Sequence, residues 1–288
     1  MSLKDTILQD DNTSESPRTF SWPTPETVYF TLDLECDFGT ALPRNTYEAV
    51  EHIETLATLL ETTDTPLTCF LQTEVLTERP EAVERLRSSD VPVEFYPHSH
   101  THSKRDQTSV RQEIQASTES YREFFDHQPE GYRFPNGNIR EIDYRHLESY
   151  GYQFDASIFP TWRPGHFENT DAPAVPTYMD EFDLFELPFT ILSSLAPIPT
   201  GLSYCRLLGR PFTYSLTNFA PSVIVFNFHV HDLVTPATVT ELPPLYRFVY
   251  SRNNHGFSLL RELLEAFDKA GYTFDTLGTA HEQLRAFL

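Results

Sequence analysis

Short runs of apolar and β-branched residues alternate with helical patterns along most of this sequence. The clearest strand-like runs are 27–34, 93–97 and 223–228, and an amphipathic helical pattern covers 258–269. Apolar runs that alternate with helices are typical of parallel strands in repeated βα units. So many units in one chain favour an α/β barrel over an open sheet.

The chain is long enough to bury one sizeable core. Its 288 residues are ordinary for a single α/β barrel, so we predict one domain over residues 26–288. Residues 1–25 are polar and acidic, which predicts a flexible leader. This leader lacks the apolar stretch of a signal peptide, and no run is long enough to span a membrane. We therefore expect a cytoplasmic protein without membrane insertion.

The net charge of the chain is −21, and its only lysines are Lys4, Lys104 and Lys269. A field of this sign opposes contact with the phosphates of nucleic acids and with anionic membranes. An acidic, lysine-poor and threonine-rich composition is also typical of proteins from salt-accumulating halophiles. We hypothesise that this chain comes from such a habitat.

The three cysteines, Cys36, Cys69 and Cys205, are widely spaced and form no CxxC pair. An odd number at this spacing predicts neither a disulfide framework nor a thiolate zinc site. A reducing compartment fits this pattern.

Three imidazoles follow the predicted strand 93–97, at His98, His100 and His102. Neutral imidazoles are common ligands of divalent metal ions. If the turn after Pro97 is helical, His98 and His102 lie four residues apart on one face and can reach one ion, while His100 points elsewhere. The cluster therefore predicts a metal site with two histidine ligands.

Three carboxylates, Asp33, Glu35 and Asp37, lie where the first predicted strand ends. Carboxylates at a buried strand end need a cation or hydrogen-bond donors. One of them can complete a His-His-carboxylate metal site that leaves coordination positions open for water and substrate. Another can act as a general base on that water.

Further unusual polar groups also lie at predicted strand ends: Arg133, Asp155 and the segment 229–232. In an α/β barrel the carboxyl ends of the strands meet over one opening, where catalytic residues collect. The long segment 159–180 carries no clear pattern and predicts a long loop that is either functional or disordered.

Taken in order, these segments resemble the five motifs of the NodB-type polysaccharide deacetylases, carbohydrate esterase family 4. The resemblance covers about residues 28 to 232 and implies a distorted (β/α)7 barrel. It also implies a hydrolase of non-peptide carbon–nitrogen bonds that removes acetyl groups from an amino sugar. The matching segments are TLDLECDFG at 31–39, HSHTH at 98–102, RFPNG at 133–137, DAS at 155–157 with Trp162, and FHVHD at 228–232.

The resemblance implies a metal held by His98, His102 and one carboxylate. The family's acidic pair is adjacent, whereas these carboxylates alternate, so the third ligand is either Glu35 or Asp37. We favour Glu35 and keep Asp37 as the second choice, since both share a face with Asp33 in an extended segment. Zn²⁺ is the expected ion, with Co²⁺, Ni²⁺ and Mn²⁺ as alternatives.

The same comparison suggests the catalytic roles. Asp33 is the expected base, with Arg133 holding it ionised and oriented. His229 is the expected acid for the departing amine, and His231 is its alternative, with 231–232 otherwise a pair at the rim. Asp155 is expected to tune His229 or to belong to the same network.

Pro135, Trp162 and His231 are the expected substrate-binding residues, and the expected partner is a carbohydrate or a small amide. Two rival functions remain: hydrolysis of a non-sugar amide on the same barrel, and an inactive barrel that only binds carbohydrate. An amidohydrolase barrel fits less well, because it normally carries His-x-His on its first strand. The sequence leaves the sugar, N- or O-linkage of the acetyl group, the native metal and the oligomeric state undetermined.

Overall fold

A computed structural model describes residues 17–163, 167–219, 221–251 and 255–288. Its strands, numbered in chain order, are β1 (Arg18–Thr19), β2 (Thr27–Leu34), β3 (Leu67–Leu71), β4 (Val93–Pro97), β5 (Gly131–Tyr132), β6 (Phe154–Asp155), β7 (Trp162–Arg163), β8 (Phe167–Glu168), β9 (Thr177–Met179), β10 (Leu184–Glu186), β11 (Val223–His229) and β12 (Thr273–Asp275).

Helices separate most of the parallel strands, as the alternating pattern predicts. The α-helices are Ile53–Thr62, Val75–Glu78, Pro80–Arg87, Val110–Phe125, Glu141–Ser149, Leu202–Leu208, Arg210–Asn218, Val230–Leu233, Pro244–Ser251, Gly256–Lys269 and Leu277–Arg285. Short 3₁₀ helices cover Gly39–Ala41, Ala49–His52, Pro135–Gly137 and Ala237–Glu241.

Two curled sheets make up the barrel. One has the order β11-β2-β3-β4, with β12 beside the start of β2, and the other has the order β1-β9-β10-β6-β5. Seven of the described strands, β2 to β6, β10 and β11, run parallel to their barrel neighbours. The predicted distorted (β/α)7 barrel is therefore confirmed.

The two sheets are joined differently at their two borders. Between β4 and β5 the Arg133 N–H donates to the Pro97 carbonyl at 3.1 Å. Between β10 and β11 the contact runs through a side chain, since the Val225 N–H donates to the Thr190 hydroxyl at 2.9 Å.

Strand β2 runs through the centre of the molecule and is buried along its whole length. Phe30 and Leu32 pack in the apolar layer between the sheet and the helices, whereas Tyr29 packs inside the barrel. Because side chains alternate along a strand, Thr31 and Asp33 lie on the same side as Tyr29. The strand thus places a carboxylate inside the barrel at its carboxyl end.

Two segments predicted to lack regular structure contain strands. The predicted loop 159–180 carries the hairpin β7–β8 and the whole of β9. Residues 1–16 of the predicted leader lie outside the described residues, but Arg18 and Thr19 pair with Tyr178 and Thr177. The predicted flexibility therefore does not extend over the whole of 1–25.

No helix among the described residues is both long and apolar enough to cross a membrane. The described cysteines Cys36, Cys69 and Cys205 are buried and unpaired, in agreement with the predicted absence of disulfides. The cytoplasmic location and the single domain over 26–288 stay predictions.

Candidate active site

A cavity of about 660 Å³ opens at the carboxyl ends of the central strands. Asp33, Glu35, His98, Arg133 and His229 all line it. The strand ends that the sequence singled out therefore meet over one opening, as expected for a barrel.

Glu35, His98 and His102 form a buried cluster in this cavity. The Oε2 atom of Glu35 lies 3.2 Å from Nε2 of His98 and 2.6 Å from Nε2 of His102. One ligand atom from each residue lies within 4.8 Å of the others. Strands β2 and β4, separated by β3, supply the two sides of the cluster.

The turn that carries the histidines is not helical, so this part of the prediction is wrong. Ser99 and His102 have left-handed backbone angles, with φ of 64° and 58°. The His102 N–H donates to the Ser99 hydroxyl at 3.1 Å, which closes the turn. His98 and His102 still converge, and His100 points away to contact the Thr73 hydroxyl.

Gly39 leaves the space that His102 occupies. A Cβ atom at Gly39 would lie 2.9 Å from Cε1 of His102 and 3.1 Å from Oε1 of Glu35. Its φ of 52° is also a value that favours glycine. Position 39 therefore requires glycine, because a side chain there would collide with the cluster.

Asp37, the second choice as a metal ligand, faces away from the two histidines. Its carboxylate accepts hydrogen bonds from the Thr46 hydroxyl and from the N–H groups of Glu48 and Ala49, at 2.8 to 3.0 Å. These bonds hold the segment that leads into the helix Ile53–Thr62. The structure brings Glu35, and not Asp37, to His98 and His102.

The cluster fits a divalent metal ion. His98 Nδ1 donates to the Arg133 carbonyl at 2.9 Å, so its Nε2 lone pair faces the Glu35 carboxylate. Nε2 of His102 meets the Glu35 carboxylate, and Nδ1 of His102 is buried without a hydrogen-bond partner among the described residues. Burial raises the pKa of Glu35, but the charge of His102 and the contacts with the two imidazoles hold that pKa well below its usual value. Two imidazoles and an ionised carboxylate are a donor set that zinc-like ions prefer.

Beside this cluster, Asp33 is bound on both carboxylate oxygens. Arg133 donates to Oδ1 at 2.8 Å, and the Asn227 amide donates to Oδ2 at 3.1 Å. Burial raises the pKa of Asp33, but the charge of Arg133, together with the nearby imidazoles, lowers it. Asp33 is therefore an ionised carboxylate. Sequence reasoning missed Asn227, although its polar side chain interrupts an otherwise apolar strand.

Arg133 is fully buried and held by several strands. Its Nε donates to the Ala156 carbonyl at 2.8 Å, and its Nη1 also donates to the hydroxyl of Thr31 at 2.9 Å. The guanidinium lies between two aromatic rings, 3.9 Å from the centre of Phe70 and 4.3 Å from the centre of Phe189. These contacts fix the direction from which Asp33 receives its hydrogen bond.

His229 lies across the cavity from Arg133. Its Nε2 is 3.6 Å from Asp33 and 3.9 Å from Glu35, and its Nδ1 contacts Asp232 at 2.9 Å. Burial lowers the pKa of His229, but the bond to Asp232 and the nearby carboxylates raise it to about 9. The ring therefore carries a proton that it can present to the cavity.

Asp232 was predicted to form a rim pair with His231, and this is wrong. It is completely buried, and the Ser203 hydroxyl donates to its carboxylate at 2.7 Å. His229 and Asp232 form the capping box of the short helix Val230–Leu233. The spacing H-x-x-D directly after an apolar run was the signal for this pair.

Asp155 does not contact His229. Its carboxylate accepts bonds from the N–H and hydroxyl of Ser157, at 3.0 and 2.9 Å. The neighbouring Glu186 accepts bonds from the Tyr144 hydroxyl and the Ile158 N–H, both at 2.9 Å. Burial raises the pKa of Asp155, and burial with the charge of Asp155 raises that of Glu186. These two carboxyl groups form a protonated pair beneath the Arg133 loop.

The three expected substrate-binding residues lie in different places. Trp162 is 59% exposed on the β7–β8 hairpin, and Pro135 lines a neighbouring cavity of about 370 Å³. Only His231 lines the main cavity, where it stacks on His229 and accepts a bond from the Phe38 N–H. The aromatic wall near this hairpin is instead formed by three phenylalanines. The ring of Phe159 stacks on Phe167 and on Phe189.

The model of the polysaccharide deacetylase family matches residues 17–154 of this chain. That region contains the first three motif-like segments, ending with the one at Arg133. None of the curated proteins compared with the chain is similar to it in sequence.

Solved structures of carbohydrate esterase family 4 have a similar fold at low sequence identity. BA3943 from Bacillus anthracis, a CE4 family pseudoenzyme, is 12% identical with a TM-score of 0.53, over 91% of this chain and 67% of that chain. The peptidoglycan deacetylase PdaC from Bacillus subtilis is 12% identical with a TM-score of 0.50, over 92% and 94%. A putative polysaccharide deacetylase from Mycobacterium smegmatis is 18% identical with a TM-score of 0.50, over 91% and 97%. At these identities the likeness concerns the fold.

We expect Glu186→Gln to flatten the pH dependence of stability. A carboxyl whose pKa is raised by folding binds its proton more tightly in the folded chain, so the free energy of unfolding falls as the pH rises above the ordinary value of about 4.3. Glutamine has no such proton to lose. Urea unfolding of the parent and variant should diverge as the pH rises above that value, because folding raises the pKa of Glu186 well above it.

The matched control is Glu181→Gln, an exposed carboxylate paired with Arg145. It should leave the slope of stability against pH close to that of the parent. Parallel curves for Glu186→Gln and the parent would contradict the protonated pair.

Proposed function

We propose that this chain, whose residues 17–154 match the polysaccharide deacetylase family, is a hydrolase of non-peptide carbon–nitrogen bonds. It would remove the acetyl group from an acetylated amino sugar with the help of a bound divalent metal ion. The observation that carries this proposal is one cavity with three neighbouring groups of residues. They are a metal-type cluster at Glu35, His98 and His102, an ionised carboxylate at Asp33, and a protonated imidazole at His229.

Glu35, His98 and His102 would hold the ion, with Zn²⁺ expected and Co²⁺, Ni²⁺ and Mn²⁺ as alternatives. When bound, such an ion supplies Lewis-acid polarisation of a carbonyl and lowers the pKa of water. The Arg133 carbonyl fixes the His98 ring so that its Nε2 stays available. This contact links the ligand set to the arginine that orients Asp33.

Asp33 is our candidate for the general base. Arg133 and Asn227 each bind one of its oxygens, which holds the carboxylate ionised and fixed in direction. Its Oδ2 atom faces the cavity side, 3.6 Å from His229. A water molecule between Asp33 and the acetyl carbon would lose its proton to this oxygen as it attacks.

His229 is our candidate for the general acid. An amide is cleaved only if the departing amine receives a proton, and His229 presents Nε2 to the cavity while Asp232 holds Nδ1. His231 fits this role less well, because its Nδ1 accepts the Phe38 N–H and because burial lowers its pKa to about 4. Aspartate-bound imidazole is a common arrangement for transferring a proton to a leaving group.

The cavity has a volume of about 660 Å³, and several aromatic rings line its walls. Phe159, Phe189 and Tyr204 line one side, and aromatic faces suit the apolar faces of sugar rings. The same walls also suit a small aromatic amide. The sugar itself and the linkage of its acetyl group are left for the experiment to decide.

An inactive carbohydrate-binding barrel is the second candidate, because one protein of similar fold is described as a pseudoenzyme. A single measurement distinguishes the two functions. Acetate release from acetylated chitooligosaccharides by the metal-loaded protein supports the deacetylase. Binding of the same oligosaccharides without acetate release supports the binding barrel.

We expect Asp33→Asn to abolish catalysis while the metal stays bound. The amide can keep the bonds of the carboxylate in part, but it cannot accept the proton of water, so acetate release should fall about 100-fold or more. Metal content by atomic emission should equal that of the parent. Acetate release at the parent rate would show that Asp33 is not the base.

Glu35→Ala should lose the metal, whereas Asp37→Asn should keep it. The reason is that Glu35 faces both histidines and Asp37 faces the N–H groups of Glu48 and Ala49. Titration calorimetry with Zn²⁺ measures both variants. Metal loss in Asp37→Asn with retention in Glu35→Ala would reverse the assignment.

Asp232→Asn should lower kcat about 100-fold or more without changing KM, because His229 loses the carboxylate that stabilises its proton. Hydrolysis of 4-nitrophenyl acetate tests whether the loss of activity comes from the missing proton of His229. Its leaving group departs without a proton, so this reaction should fall much less than deacetylation of an amino sugar. An equal loss for both substrates would mean that Asp232 acts only on the fold.

A further inference from the structure

Basic residues outnumber acidic ones in the lining of the active-site cavity, although the chain as a whole has 42 acidic and 21 basic residues. Among the described residues, three acidic and four lysine or arginine side chains line this cavity: Asp33, Glu35, Asp232, Lys104, Arg133, Arg163 and Arg206. The cavity therefore differs in charge from the rest of the protein. A cleft lined by one sign of charge concentrates its field and attracts groups of the opposite sign.

Each acidic side chain of this lining is engaged within the site itself. Asp33 is paired with Arg133, and Glu35 belongs to the metal-type cluster. The carboxylate of Asp232 contacts Nδ1 of His229 at 2.9 Å. None of the three acids is therefore left to neutralise the other basic side chains of the cavity.

Two of the four basic side chains are also engaged. Arg133 binds Asp33, and the buried Arg206 donates to backbone carbonyl groups, among them that of Asp232. Lys104 and Arg163 differ from them. In the part of the chain that the structure describes, neither of these two side chains forms a hydrogen bond or an ion pair.

The two unpaired cations reach the cavity from different segments. Lys104 follows the histidine turn, and Asp106 beside it in sequence lines only the neighbouring cavity. Arg163 lies on β7, where it pairs with Phe167 across the hairpin. Because side chains alternate along a strand, the exposed Trp162 and Arg163 lie on opposite faces, and Arg163 and Phe167 both line the cavity.

We propose that the amino sugar substrate carries or adjoins an anionic group, and that Lys104 and Arg163 bind this group. A neutral glycan offers the two cations only hydroxyl groups. A carboxylate or a phosphate ester offers charge-assisted hydrogen bonds, which are about twice as strong as neutral ones. That the ligand is an amino sugar rests on the proposed function, whereas the preference for negative charge rests on the cavity lining.

The experiment measures equilibrium binding by titration calorimetry to metal-loaded Asp33→Asn protein, in which we expect the ligands to stay intact. Each acidic ligand is compared with a neutral counterpart. A tetrasaccharide of alternating N-acetylglucosamine and glucuronate is paired with its methyl ester, and N-acetylglucosamine 1-phosphate is paired with N-acetylglucosamine. The first pair tests a carboxylate and the second tests a phosphate.

The test variant adds Lys104→Gln with Arg163→Gln, and each of these substitutions is also made alone. The control variant adds Arg261→Gln with Lys269→Gln, at exposed positions on the helix Gly256–Lys269 that do not line the cavity. Test and control therefore change the net charge equally. Circular dichroism verifies that each variant is folded.

We expect the acidic ligand of at least one pair to bind about tenfold or more tightly than its neutral counterpart, as one charged hydrogen bond would provide. The control variant should keep this preference and the test variant should lose most of it. A purely structural effect of the substitutions would weaken both ligands of a pair alike, so the ratio of the two affinities reports on charge.

Equal binding of the acidic and neutral ligands in both pairs would overturn the proposal. It is also overturned if the test variant and both single variants keep the preference, or if the control variant loses it to the same extent. Acetate release from the same ligands by the metal-loaded parent protein reports separately on the proposed function. Tighter binding of the acidic ligands without acetate release would contradict the deacetylase and leave the anion site standing.

Discussion

The candidate site depends on one buried cation, Arg133. Its side chain binds Asp33 on β2, Asn227 on β11 and the carbonyl after β6, while its own carbonyl accepts the ring N–H of His98. The position of Arg133 thus determines where the candidate base and one metal ligand lie. It also links the two sheets. Removing one partner of a buried ion pair costs about 3–5 kcal/mol, so the barrel and the site are expected to be lost together.

Sequence alone predicted much of the site because strand ends are easy to recognise. Apolar runs ended at Asp33, His98 and His229, and the barrel brings such ends together. The turn geometry could not be predicted in the same way. His102 reaches Glu35 through a left-handed backbone rather than a helical turn, and this depends on the space that Gly39 leaves.

Contacts between side chains from distant segments of the chain were also not predictable from the sequence. Asp155 was expected to tune His229 or to belong to the same network, but its carboxylate binds Ser157 and lies beside Glu186 from a distant strand. Trp162 was expected in the pocket because it follows the fourth motif-like segment, yet its side chain is 59% exposed on a hairpin. In both cases the local pattern was compatible with several partners, and packing of the whole barrel decided among them.

We propose that one metal ion at Glu35, His98 and His102 makes this barrel a deacetylase. The most direct test of this proposal is a titration of metal-stripped protein with Zn²⁺, with acetate release from acetylated chitooligosaccharides measured at each step. We predict that activity is absent in the stripped protein, rises in proportion to added metal and levels off at one ion per chain. Full activity after stripping, or no acetate release at one bound ion per chain, would contradict the account.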